Sequence, residues 1–138
     1  MKPLPETQNA LVLRTDFSDD SAWEAVCATI REPDGEFKAY VDFVSDKEYE
    51  GLTVEQLLSL LPPSSPHSFI FIVDRTALSH SDHPILVVDL YAEPGRTFRV
   101  IPSEMWGVEN NLSIANMDFE EFAEAADADG VFRGFAKR

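Results

Sequence analysis

Apolar positions along this chain recur with two different periods, and the switches between them lay out the elements. Ala10 to Asp16 reads ALVLRTD, an apolar run of strand length. Trp23, Val26, Cys27 and Ile30 then fall at i, i+3, i+4 and i+7, one stripe of a helix. Ser18 is the expected cap, with Asp19 and Asp20 in the first turn and Pro33 and Gly35 beyond the end. Phe37 to Val44 alternates as an edge strand with one wetter face. Thr53 and Gln56 match a capping box ahead of the stripe Val54, Leu57, Leu58 and Leu61, which Pro62 and Pro63 stop. Ser68 to Asp74 and Ile85 to Tyr91 are almost continuously apolar, as strands covered on both faces must be. AEPG, Ala92 to Gly95, reads as a turn into a last strand, Thr97 to Ile101, expected at the opposite edge. Asp118 and Glu121 repeat the capping-box pattern before Phe119, Phe122, Ala123 and Ala126, and the tail docks through Val131, Phe132 and Phe135.

This order predicts an α/β domain of three layers. The sheet is mixed and five-stranded, in order 2-1-3-4-5, with the first three strands parallel through right-handed crossovers, a C-terminal antiparallel hairpin and helices on both faces. Residues 1–8, with two prolines and no apolar period, form a flexible N-terminus; residues 9–138 form a single domain.

Open sheets of this kind bind ligands beyond the carboxyl ends of the parallel strands, beside the switch between the first and third. Asp16 and Asp74 end those strands. With the fourth strand antiparallel to the third, the same rim gains Arg75, His80, Asp82 and His83, and the fifth strand delivers Glu104 and Trp106 to it. With the fourth strand parallel, Asp89 joins the rim and the Trp106 stretch moves away. That stretch, Ile101 to Phe122, sets Asn110, Asn111 and Asn116 among Trp106, Leu112, Ile114 and Met117. Such a mixture is costly to bury without partners, so it serves either as a rigid connector or as a recognition surface. The binding candidates are therefore Asp16, Asp74, Arg75, His80, Asp82, His83, Glu104, Trp106, Asn110 and Asn111.

Charge narrows the use of such a surface. The 138 residues carry a net charge of −14, which repels nucleic-acid phosphates and anionic lipid and suits a basic protein partner. No apolar run is long enough to span a bilayer, and no secretory leader is read, which points to the cytoplasm. Cys27 stands alone, on an apolar stripe, as packing. Phosphate-loop, dinucleotide, zinc-protease and nucleophile-elbow motifs are all missing, so no catalytic residue, resident metal or cofactor is assigned and the balance leans away from an enzyme. Two functions are carried forward: an acidic binding or regulatory module working through Trp106 and Asn110, and a small enzyme or ligand-binding protein whose carboxylates and histidines hold a divalent cation.

The stretches LVLRTDFSDD, VDRTAL, VVDLY and SEMWGVENNLSIANMDFEEF resemble a group of small acidic proteins of unknown function from filamentous actinobacteria, over Leu11 to about Phe135. Locally, LSIANMDFEEF, read as a short strand and a capped helix, is similar to the closing segment of the SUKH immunity proteins, acidic domains that bind and neutralise toxins. That likeness implies toxin binding, whereas the opening strand-helix-strand unit departs from those proteins.

Overall fold

Alternation along the central strands builds two cores, one on each face of a single sheet. The structure is a computed structural model that describes residues 2–135. Its strands are β1 (Ala10–Arg14), β2 (Val41–Val44), β3 (Phe69–Val73), β4 (Ile85–Asp89), β5 (Thr97–Val100) and β6 (Val131–Phe132). Its helices are α1 (Asp20–Arg31), α2 (Val54–Ser59), α3 (Arg75–Ser79), α4 (Met105–Ser113) and α5 (Phe119–Ala125), with 3-10 turns at Lys47–Tyr49 and Pro102–Glu104. Val12, Phe71, Val73, Val87 and Phe98 point to one face and pack with Trp23 and Val26 of α1, Val108 of α4 and Phe122 of α5. Leu11, Leu13, Ile70, Ile72 and Val88 point to the other, against Tyr49 and Leu57. No helix among the described residues is long and apolar enough to cross a membrane.

The sheet is mixed and has six strands in the order β2-β1-β3-β4-β5-β6. β1 pairs parallel with β2 and β3, and β3, β4 and β5 run antiparallel in turn, so the parallel alternative for β4 falls away. The expected count of five needs correction. β6 adds to β5 in parallel register, Arg99 opposite Val131 and Val100 opposite Phe132, so β5 is an interior strand. Two residues carry no readable period, which is why the tail reads as mere docking.

Other boundaries shift for local reasons. Asp19, not Ser18, caps α1, its side chain accepting from the Ala22 N–H at 2.9 Å. β2 begins four residues later than the alternation suggests. Asp34 and Phe37 bond to each other across a turn with Gly35 at φ 63°, and the Tyr40 N–H is taken by Glu109. RTALS, too short to show an apolar period, forms α3, nucleated by the Asp74 cap on the Ala77 N–H. Residues 2–8 carry no helix or strand, yet Leu4 is buried and donates its N–H to Leu60 O at 2.9 Å.

Candidate functional site

The antiparallel return of β4 and β5 brings most of the sequence candidates to the carboxyl end of β1 and β3, where the three aspartates and His83 have partners within the protein. Asp74 receives a two-pronged contact from Arg99, at 3.0 and 2.7 Å, besides capping α3. Asp16 accepts from the Ser18 hydroxyl and N–H; these bonds hold its carboxyl below the ordinary value, burial opposes them, and Arg75 and Arg14 nearby add a lesser pull in the same direction as the bonds. Asp82 lies 3.4 Å from Arg133, a guanidinium shared with Asp127 and Asp129. His83 sits at φ 48° with Nδ1 3.0 Å from the Ala77 carbonyl, a contact that selects the Nδ1–H form. His80 and Arg75 are exposed at the two ends of α3. Gly134 packs so closely that a Cβ there would stand 2.8 Å from Glu104 Oε1. Among the described residues no three His, Cys, Asp or Glu side chains converge in a metal-holding group. Arg99 and Arg133 thus take up two carboxylates of this rim, those of Asp74 and Asp82, and Ser18 takes up a third, that of Asp16.

Trp106 is half-buried on α4, stacked on Phe37 with ring centroids 4.3 Å apart. Its Nε1–H is buried without a hydrogen-bond partner among the described residues. From there α4 leaves the rim and carries Asn110 and Asn111 toward the opposite end. Asn111 donates to Gly107 O at 2.8 Å, its own side-chain oxygen accepts from Asn116, and its backbone oxygen accepts the N–H groups of Asn116 and Met117. These two asparagines therefore close the C-terminus of α4 and hold Ala115 at φ 55°. Asn110 is exposed. LSIAN, read as a short strand in the immunity-protein likeness, is the end of a helix and a turn, so of that local shape only the capped helix, α5, is present.

The concave surface lies at the far end of the sheet; it takes in Leu112 and Met117 of the Ile101–Phe122 stretch, but none of the ten binding candidates lines it. A cavity of about 550 Å³ opens beside the start of β3, between the β4–β5 loop and the α4–α5 turn. Phe69 and Phe119 line its floor, both buried, with Leu112 and Met117 half-buried beside them. Its wall is organised by Asp89, 3% exposed, whose carboxylate accepts the N–H groups of Tyr91, Ala92 and Glu93 at 2.9, 3.3 and 2.8 Å. Two large apolar side chains stand proud of this end: Tyr91, which lines the cavity and is 82% exposed, and Ile114, adjacent to the lining Ser113 and 65% exposed. Volume and lining fall in the range of a ligand or peptide site. A smaller hollow around His67 shares Pro66, Ser68, Phe69 and Ser113 with it, so the depression continues across the end of the sheet.

Comparison with known proteins gives this architecture a family without a chemistry. Residues 9–135 match the family described as a domain of unknown function (DUF6924). No curated protein matches the chain.

Proposed function

Starting from membership of the DUF6924 family, to which this chain belongs, we propose that it is an acidic protein-binding module whose recognition face is the groove beside the start of β3. The observation that carries this reading is the pairing of a 550 Å³ cavity with Tyr91 and Ile114, both largely exposed next to it. Isolated surface apolar residues are ordinary, but an exposed aromatic and an exposed isoleucine flanking an apolar-floored groove have the make-up of a recognition patch. The rim at the other end supports the same choice by elimination, since its carboxylates are spent on Arg99, Arg133 and the Ser18 hydroxyl. Regulation of a basic enzyme and neutralisation of a basic toxin are both uses of such a module, and net charge of −14 steers toward either.

Photo-crosslinking in cells tests the location. A photoreactive amino acid at Tyr91 or Ile114 should trap one and the same discrete partner, while the same group at Asp16 or His80 traps none. Trapping from the Asp16 and His80 positions alone, or equal faint trapping from all four, would remove the groove from consideration.

A further inference from the structure

We propose that the groove accepts an arginine or lysine side chain of an extended partner segment, its apolar stem lying on Phe69 and Phe119 and its charged head beside Arg96, against the carboxylates of Glu93, Asp118 and Glu120. The inference rests on the protein-binding reading and adds the chemistry of the occupant. Long cationic side chains bury their methylenes on apolar surface while keeping the head at a polar mouth, and this groove has that layering. Its floor is aromatic and aliphatic, and its mouth is carboxylate. Glu93 and Glu120 are 68% and 64% exposed, so a partner's charge can reach them without their being dragged from the core.

Arg96 marks where a cation is welcome. Its Nη1 lies 3.3 Å from Glu93 Oε2 and 3.9 Å from Glu120 Oε1, bridging the loop and α5. One guanidinium does not balance the lining, which also carries Asp118 and Asp89: four carboxylates stand against one cation. Asp89 is committed to the loop N–H groups, which leaves Glu93, Asp118 and Glu120 against Arg96, an excess of two negative charges for a partner to meet. A negatively charged occupant, including the acidic surface of a second copy, meets repulsion here, whereas a cationic one meets complementarity.

A randomised heptapeptide display library panned on the intact protein reads this directly. Selected peptides should be enriched in arginine or lysine next to an apolar residue. The best of them should bind about tenfold more weakly to the Glu93→Gln/Glu120→Gln double variant, as the loss of two partly exposed ion pairs implies. It should bind unchanged to Glu24→Gln/Glu36→Gln, which has the same net charge but alters distant exposed positions. Peptides lost on Tyr91→Ala/Ile114→Ala yet lacking cation enrichment would overturn the cationic occupant and leave the groove as a protein site. Equal weakening by both glutamine pairs would overturn it too, by assigning the effect to overall charge. Failure to select any peptide sensitive to Tyr91→Ala/Ile114→Ala would overturn the inference and the reading beneath it together. All these positions are exposed, and matching melting temperatures verify that the variants fold.

Discussion

His67 sits half-buried at the groove's polar extension, with Nε2 accepting from the Thr7 N–H at 3.3 Å and contacting the Thr7 hydroxyl at 3.1 Å. Burial holds its imidazole below the ordinary value of 6.5, outweighing the pull of Asp42 and Glu6 in the other direction. The folded chain therefore binds this proton less readily than the unfolded chain does, so stability from this site is complete above 6.5 and is lost as pH falls toward the lower folded value. Melting temperatures measured from pH 7 to pH 5 should accordingly fall less steeply in His67→Gln than in the parent; equal slopes would mean the imidazole is not held neutral. Cys27 behaves oppositely, its buried thiol pushed up to about 11, so it stays protonated and inert at neutral pH, in keeping with its reading as packing. Asp16, Asp74 and Asp82 were legible in the sequence as carboxylates gathered at one end. That Arg99 and Arg133 neutralise two of them was not, because those arginines arrive from β5 and from the residue after β6, 25 and 51 residues away.

The β4–β5 loop is the element on which the groove depends. Asp89 ends β4, and its carboxylate gathers three successive N–H groups while its backbone oxygen takes the Gly95 N–H at 2.8 Å. Gly95, at φ 98° with Leu58 3.3 Å from where its Cβ would be, lets the loop close against α2. Removing the carboxylate leaves loop donors to find water and releases the wall carrying Tyr91 and Glu93. Asp89→Ala should thus cost about 2 kcal/mol in urea unfolding and weaken peptide binding at the groove; loss of stability with binding intact would separate the loop from recognition. Elements with full periods were readable in advance: the α1 stripe, and the Thr53–Gln56 box that caps α2. So was the Asp118–Glu121 pattern, in which Glu121 accepts the Asp118 N–H at 2.8 Å. Short ones were not. α3 has five residues and β6 two, too few to show a repeat, and their existence is decided by the Asp74 cap and by pairing with β5.

Across the molecule the strand order and directions separate two ends with opposite characters. The carboxyl end of β1 and β3 collects charges that pair with one another; the other end opens a groove with apolar residues exposed beside it and carboxylates to spare. Strand order through β5 followed from right-handed crossovers and the alternation of apolar runs. The groove did not, because it is assembled from residues 66–69, 89–96 and 112–120, which meet only once the chain has folded. Its acidity was visible only as a total for the chain, without a location. The account's central claim is that recognition occurs at this end. The most direct measurement is a map of backbone amide chemical shifts on the isotopically labelled protein as the best library-selected peptide is titrated in. The account predicts that shifts concentrate in residues 66–69, 89–96 and 112–120 and spare Asp16 and the Asp74–His83 segment; a map centred on Asp16, Asp74 and His80 would contradict it.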